Sequence, residues 1–169
     1  MHCCFIDLKK AYDRVWRTGL WKRLWDEGIR GKIWRVCRKL YKNTQSCVQV
    51  GQERTDFFEV EVGVRQGCGL SPILFSIYIN TLAKEVAQSG IGIMVGSAKI
   101  ASLLYADDIV LITETAEELK KGMAIATAWA KRWRCSINQD KSKVVVFGEK
   151  QGRIDDWMLG GCGSGPGEC

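Results

Sequence analysis

The sequence predicts an α+β fold in which an antiparallel sheet carries helices packed on one of its faces. Short apolar runs typical of strands alternate with longer segments whose apolar residues recur at helical spacing. Several of these runs end in turn residues, which favours hairpins and hence antiparallel pairing. With 46% hydrophobic and 26% charged residues among 169, the composition is that of a globular protein long enough to bury a core.

The first half of the chain is predicted to contain one strand, two helices and one hairpin. The strand ends near Asp7, and the two amphipathic helices that follow are punctuated by Gly28 and Gly31. Their tryptophans are expected to pack in the core and between the helices. The alternating segments 46–50 and 57–64 would then pair as antiparallel strands through a polar link.

The second half is predicted to contain two long helices and several short strands. Ser71 suits the N-cap and Pro72 the first position of a helix that ends near Gly90, and Thr115 begins the other helix. The buried face of the first helix is expected to consist of Ile73, Leu74, Ile77, Tyr78 and Leu82. The strands are expected at residues 91–95, in a hairpin joined at residues 105–108, and at residues 144–147.

The organisation of the chain is expected to be simple. Residues 1–159 would form one domain, and the Gly-rich residues 160–169 a disordered tail. No apolar run approaches the roughly 20 residues needed to cross a bilayer, and the N-terminus has no signal-peptide pattern. An intracellular location, nuclear or cytoplasmic, is therefore expected. The eight cysteines include no C-x-x-C pair and the chain has one histidine, which predicts free thiols and no zinc site.

The net charge of +6 is unevenly spread. Between Arg14 and Lys42 lie ten basic residues and only two acidic ones, and we call this segment the basic stripe. Such a stripe attracts phosphate backbones by releasing counterions. We expect contact with nucleic acid through Arg35, Arg38 and Lys39, and the alternative is a solvated helical face.

Asp7, Asp107 and Asp108 are the candidate functional residues, because each is expected where an apolar strand ends or begins. Carboxylates held together repel one another, and a bound divalent cation relieves that repulsion. Hard oxygen ligands with room for water and phosphate are typical of a Mg²⁺ site for phosphoryl or nucleotidyl transfer. Asp-Asp is also a common turn pair, so a structural role is the alternative.

Four segments of the chain form an ordered set of motifs. They are residues 5–15 (FIDLKKAYDRV), 65–75 (RQGCGLSPILF), 105–108 (YADD) and 137–143 (INQDKSK). In order and spacing they resemble the four palm motifs of reverse transcriptases, and the resemblance covers roughly residues 3–148. The wording of the first two motifs is more similar to non-LTR (LINE-type) retrotransposon polymerases than to retroviral ones.

The resemblance implies a polymerase palm fold and an RNA-directed DNA polymerase that joins a nucleotide to a primer 3′-hydroxyl. It implies two Mg²⁺ ions, with Mn²⁺ as an alternative, and an RNA template, a DNA primer and dNTPs as partners. Asp7 and Asp107 would bridge the two ions, and Asp108 would hold the ion nearer the primer. Asp13 is a rival acid, but a helix beginning near Leu8 would carry it away from the strand end.

By the same resemblance, the residues that would contact the incoming nucleotide are Leu8, Tyr12, Gln66 and Gly67. The ring of Tyr12 would act as a steric gate that leaves no room for a 2′-hydroxyl, and the alternative is a core tyrosine. The backbone of Gly67 would approach the ligand closely, and Arg65 would lie near nucleic acid. Lys141 would supply positive charge or a proton to the departing pyrophosphate, with Lys143 as the competing lysine.

Complete polymerases of this family place fingers before the first motif and a thumb after the fourth. This chain is therefore expected to be a palm fragment that is inactive in isolation. The alternatives are a catalytically inactive nucleic-acid-binding remnant of such an element and a fragment of a group II intron-type reverse transcriptase. The sequence indicates no membrane association and no particular oligomeric state.

Overall fold

The structure, a computed structural model, describes residues 1–148. The predicted tail at residues 160–169 and the domain boundary at residue 159 lie outside them. The elements are β1 (His2–Ile6), α1 (Arg17–Asp26), α2 (Gly31–Leu40), β2 (Gln45–Ser46), β3 (Gln49–Val50), β4 (Glu53–Arg54), β5 (Phe58–Glu59), α3 (Ser71–Gln88), β6 (Ile93–Val95), β7 (Ala98–Ile100), β8 (Ser102–Tyr105), β9 (Asp108–Thr113), α4 (Ala116–Arg132) and β10 (Lys143–Val146). No helix in this part of the chain is long and apolar enough to cross a membrane.

The chain divides into two compact units. Among the described residues, the first consists of Met1–Lys9 together with residues 80–148, and the second consists of Lys10–Ile79. Helix α3 contributes its first half to the second unit and its second half to the first.

The first unit contains a four-stranded sheet with the strand order β10-β1-β9-β8. Every neighbouring pair is antiparallel, which confirms the predicted sheet type. The register of β1 on β9 places Ile6 opposite Ile109. β8 and β9 are joined where Tyr105 pairs with Asp108, which confirms the hairpin predicted at residues 105–108.

The two faces of this sheet differ in burial. Cys4, Ile6 and Leu111 lie on one face and are at most 3% exposed. Helix α4 lies against β1 and β9, so this is the helix-covered face that the sequence predicted. On the other face, Phe5 is 43% exposed and Tyr105 is 83% exposed. The sheet therefore keeps one end of one face open to solvent.

Helix α4 is held against the sheet by a cap, a close approach and a buried hydrogen bond. The Thr115 hydroxyl accepts a hydrogen bond from the first helical turn at 3.2 Å, as predicted for an N-cap. Gly122 is closely packed, because a Cβ there would lie 2.9 Å from Ile91 Cδ1 and 3.4 Å from Leu111 Cδ1 in β9. The buried indole of Trp129 donates to Thr81 Oγ1 at 2.6 Å and so joins α4 to the second half of α3.

The segment after Asp7 is a run of turns and not the predicted helix. Leu8 forms an isolated antiparallel bridge with Ile137, and Lys10 has a φ of 50°. A residue in the left-handed region cannot continue a right-handed helix, so residues 9–14 remain in turns and α1 begins after them.

The second unit contains α1, α2 and two short ladders, in which β2 pairs with β5 and β3 with β4. The predicted hairpin is therefore present, but residues 53–54, which were expected in its polar link, form β4. Its last strand ends at Glu59. In the segment that follows, the carbonyls of Val60 and Gly63 accept hydrogen bonds from Arg17, which takes them out of strand pairing.

Helix α3 has the predicted bounds, but its buried face is rotated from the predicted one. Ile73 is 57% exposed. The buried residues of the helix are Ser71, Leu74, Phe75, Tyr78, Ile79, Thr81, Leu82 and Val86. The Ser71 hydroxyl donates to the Arg65 carbonyl at 2.6 Å and contacts the Tyr41 hydroxyl at 3.1 Å, so it fixes the preceding loop and does not act as the predicted cap.

The cysteines in the described residues carry free thiols, as predicted: Cys3, Cys4, Cys37, Cys47, Cys68 and Cys135. Burial raises the pKa of the Cys4 thiol to about 12, so this group stays protonated at neutral pH. Cys162 and Cys169 lie outside the described residues.

Candidate active site

The tip of the β8–β9 hairpin is a two-residue turn made by Ala106 and Asp107. Ala106 has a φ of 53°. Positive φ in a two-residue hairpin turn matches the twist of the flanking strands, so the turn joins them without splaying them apart. The turn therefore fixes Asp107 at its tip and Asp108 at the first position of β9.

Asp7 and Asp108 occupy facing ends of neighbouring strands. Ile6 pairs with Ile109, so continuing the antiparallel register by one residue places Asp7 opposite Asp108. Both residues line one cavity of about 380 Å³. The residues around this cavity are Phe5, Ile6, Asp7, Asp108, Ile109, Val110 and Lys141. We call it the acid-lined cavity.

Asp107, the second residue of the turn, was predicted to share a metal ion with Asp7. It is half-buried in the turn, and it is not among the residues that line the acid-lined cavity. Within residues 1–148, no three or more His, Cys, Asp or Glu side chains converge as a ready-made metal site. The structure thus brings together Asp7 and Asp108, with Asp107 one residue away.

The backbone of Asp7 is fixed by the fourth motif. The Asp7 amide donates to Ser142 Oγ at 3.2 Å, and the Asp7 carbonyl accepts from the Asn138 amide at 2.8 Å. Ser142 Oγ in turn donates to the Asn138 carbonyl at 2.7 Å. These two residues were not predicted as part of the site. The available sequence signal was Ser142, a small polar residue between two lysines. In the structure this residue is buried, with 8% of its surface exposed.

The same arrangement separates the two candidate lysines. Lys141 is exposed and lines the acid-lined cavity beside Asp7 and Asp108. Lys143 lies in β10, where it pairs with Phe5, and it is not among the residues around that cavity. Leu8 is 5% exposed, so its side chain packs in the core, and its predicted contact with a nucleotide stays a prediction.

The other residues that were expected to contact a nucleotide lie in the second unit. The ring of Tyr12 stacks on Phe75 with 4.7 Å between ring centroids and an interplanar angle of 18°. The residue as a whole is half-buried. The core alternative and the ligand-contacting role are therefore compatible.

The loop before α3 presents its side chains to solvent. Gln66 Nε2 donates to Asp13 Oδ1 at 2.8 Å, which gives Asp13 a structural partner. Gly67 has a φ of +76°, and a Cβ there would have no neighbour within 4 Å. The Arg65 guanidinium lies 5.9 Å from the centre of the Tyr41 ring. The loop thus has an open, glycine-containing surface of the kind that a ligand can approach.

The basic stripe consists of residues with different roles. Arg17 is buried and donates to backbone carbonyls, so it is structural. Lys22 and Arg23 pair with acids on their own helix. Arg35, Arg38 and Lys39 are exposed and line a separate cavity of about 370 Å³ in the second unit.

Comparisons with known proteins agree with these features. A family model described as "Reverse transcriptase (RNA-dependent DNA polymerase)" matches residues 1–157. The RNA-directed DNA polymerase from mobile element jockey of Drosophila funebris is 29% identical over 150 residues, which are 85% of this chain and 16% of that protein. The Pol polyprotein from type-1 retrotransposable element R2 of Nasonia vitripennis is 27% identical over 124 residues, 73% of this chain and 12% of that protein. The chain thus spans less than a fifth of the length of either relative.

Solved structures support the fold. Telomerase from Candida albicans, in complex with a fragment of telomeric RNA, superposes with a TM-score of 0.69 at 18% identity, over 91% of this chain and 28% of that one. Apo telomerase from Candida tropicalis, truncated from its C-terminal domain, gives a TM-score of 0.65 at 20% identity, over 85% of this chain and 30% of that one.

Proposed function

This chain belongs to the reverse transcriptase (RNA-dependent DNA polymerase) family, and from that premise we propose that it forms the palm of a non-LTR retrotransposon polymerase. The substrates in this proposal are dNTPs and a DNA primer on an RNA template. The observation that carries it is the acid-lined cavity, where Asp7 and Asp108 face each other at neighbouring strand ends beside Lys141.

The donor set of the cavity fits hard divalent cations. Mg²⁺ is commonly held by one or two protein carboxylates, with its other positions left to water and phosphate. Asp7 and Asp108 are the two carboxylates that line one space. We propose that they hold Mg²⁺ or Mn²⁺, with Asp107 as a further ligand for a second ion. When bound, such ions supply charge stabilisation for the attacking and leaving oxygens of the displacement.

The residues around the acid-lined cavity have distinct roles in the proposed reaction. Asp7 and Asp108 would orient the reacting groups because β1 and β9 hold their backbones at a fixed register. Lys141 would place a positive charge, or a proton, at the departing pyrophosphate. Ser142 and Asn138 would keep the fourth motif against Asp7 and so hold Lys141 at the cavity.

Metal binding is expected to show in thermal stability. A cation at about tenfold its dissociation constant adds roughly 1.4 kcal/mol to the folded state, on the order of 3–5 °C in Tm for a chain of this size. Asp108→Asn is expected to remove most of this shift, and Asp107→Asn a smaller part of it. Differential scanning fluorimetry with and without MgCl₂ measures both.

The matched control for this experiment is Asp56→Asn, which removes one exposed carboxylate outside the cavity. It is expected to leave the Mg²⁺ shift unchanged. An equal Mg²⁺ shift in the wild type and in Asp108→Asn would contradict a cation bound by this carboxylate.

Tyr12 is expected to control the choice of sugar. In a jockey-type polymerase whose matching segment is replaced by this chain, Tyr12→Ala should raise the incorporation of ribonucleotides relative to deoxyribonucleotides. Discrimination against a group about the size of one methylene, such as a 2′-hydroxyl, is worth about 1–3 kcal/mol, or roughly 10- to 200-fold, in a pocket that selects by shape. Single-nucleotide extension assays with dNTP and rNTP measure the ratio.

Tyr12→Phe is the control for the gate, because it keeps the ring that stacks on Phe75. It is expected to retain the discrimination of the wild type. If Tyr12→Ala leaves the ratio unchanged while the protein stays folded, Tyr12 is a core residue and not the gate.

A further inference from the structure

We propose that the cavity formed by the end of α2 and the facing side of α1 binds single-stranded nucleic acid. Its volume is about 370 Å³, and its lining residues are Trp21, Trp34, Arg35, Arg38, Lys39, Tyr41 and Lys42. We call it the aromatic–basic pocket. It lies within the second unit and contains none of the carboxylates assigned to polymerase chemistry. Binding there would therefore not depend on catalysis.

The lining of the aromatic–basic pocket contains four basic residues and no acidic one. Within the part of the chain that the structure describes, Arg35, Arg38, Lys39 and Lys42 have no acidic partner. On α1, by contrast, Lys22 is 2.8 Å from an acid one turn away, and Arg23 is similarly paired. Four unpaired like charges around one space repel, and a polyanion relieves that repulsion while releasing counterions. The ligand that the charge favours is therefore a chain of phosphates.

The pocket also holds a flat stacking surface in a fixed position. The Arg38 guanidinium lies 4.6 Å from the centre of the Trp34 ring. Two contacts hold Trp34 in place. Its Nε1 donates to the Trp21 carbonyl at 2.9 Å, and its ring packs edge-to-face with the ring of Trp25, with 5.6 Å between the ring centroids. A guanidinium stacked on an indole offers its outer face to a base and its N–H edge to a phosphate.

The wall of the pocket is anchored behind this surface. Tyr41 is 5% exposed, and its hydroxyl contacts Ser71 Oγ at 3.1 Å. Its ring packs against the ring of Trp21, with 5.6 Å between the ring centroids. Anchored aromatic side chains lose little entropy when a ligand binds. A small concave site lined by rings and cations suits an unstacked nucleotide, whereas paired bases in a duplex leave no base face free to enter. We therefore infer a single strand and not a duplex.

The test measures binding of the full 169-residue chain to fluorescein-labelled oligo(U) and oligo(dT) by fluorescence anisotropy across a salt series. Arg35→Ala/Lys39→Ala is expected to weaken binding about tenfold or more and to reduce the slope of log Kd against log salt by about 1.4, because two phosphate contacts to a single strand are lost. If binding of both oligomers weakens by a similar factor, the pocket recognises the phosphates and bases that RNA and DNA share. If binding of oligo(U) weakens more, the preferred ligand is RNA.

Two further variants separate stacking from charge. Arg38→Lys keeps the charge but removes the planar group, so it is expected to weaken binding about fivefold or more without changing the salt slope. The control Lys121→Ala/Lys131→Ala removes the same charge from two exposed positions on α4 and is expected to change Kd by less than about twofold. Near-UV circular dichroism verifies that each variant is folded.

Three results would overturn the proposal. One is equal weakening by the control pair and by Arg35→Ala/Lys39→Ala, which would mean general charge attraction. Another is tighter binding of a duplex than of a single strand. The third is competition by poly-glutamate as effective as that by oligo(U), which would indicate an acidic-peptide site. None of these depends on primer extension, so the polymerase proposal stands or fails separately.

Discussion

Asp108→Ala is expected to abolish primer extension in a jockey-type polymerase whose matching segment is replaced by this chain. Asp108 is one of the two carboxylates that share the acid-lined cavity. Losing it removes several kcal/mol of charge stabilisation from the displacement, and each 1.36 kcal/mol is tenfold in rate, so we expect a loss of about a thousandfold or more. Primer extension on an RNA template, measured under single-turnover conditions, gives the rate.

Asp56→Ala is the control, because it removes an exposed carboxylate from a loop of the second unit and is expected to leave extension intact. Extension by Asp108→Ala at the wild-type rate would refute the role of this carboxylate. If the chimera with the unaltered chain binds primer–template but never extends it, the chain is an inactive remnant that keeps the palm fold.

The comparison of Asp107→Ala with Asp108→Ala addresses a point that the sequence could not settle. Neighbouring acids at a hairpin tip are equivalent in a sequence, and a slip of one residue in register exchanges which of them faces Asp7. The structure pairs Ile6 with Ile109 and so aligns Asp108. A larger loss for Asp108→Ala than for Asp107→Ala would support that register, and the opposite order would favour Asp107 as the bridging ligand.

The parts of the fold that could be predicted are those specified by local patterns. The YADD hairpin follows from apolar strands around a two-residue turn, and the start of α4 follows from Thr115 before an acidic turn. β7 was missed because its three residues, Ala98–Ile100, carry no strand pattern of their own. It forms only because β6 pairs with it.

The parts that could not be predicted depend on contacts between distant residues. The turns after Asp7 follow from the left-handed Lys10 and from the bridge of Leu8 to Ile137, which lies 129 positions later. Within the basic stripe, Arg17 looks like its neighbours in sequence. Its partners are 24 to 46 residues away, so its burial could not be inferred from spacing.

Arg17 is therefore the position where the difference between the predicted surface role and the observed burial matters most for stability. Its Nε donates to the Gly63 carbonyl at 2.8 Å, and its Nη1 donates to the carbonyls of Val60 at 2.6 Å and Tyr41 at 3.3 Å. The guanidinium also lies 5.1 Å from the centre of the Tyr41 ring. Burial lowers the pKa of the Arg17 guanidinium, but arginine remains protonated in proteins.

Arg17→Met is expected to lower the free energy of unfolding by about 3–5 kcal/mol, because it leaves three carbonyls without their charged donor. Arg17→Lys should recover only part of this loss, since an ammonium on a flexible stem cannot hold the fork-like arrangement of donors. Lys22→Ala, five residues later in the same stripe, removes only an exposed ion pair and is expected to cost less than about 1 kcal/mol. Urea denaturation followed by tryptophan fluorescence measures all three.

If Arg17→Met and Lys22→Ala lowered the free energy of unfolding by equally small amounts, the carbonyls would have other donors and Arg17 would be one more surface charge. A large and selective loss would instead show that part of the basic stripe is needed for folding, and that only its uncompensated members on and after α2 are available to bind nucleic acid.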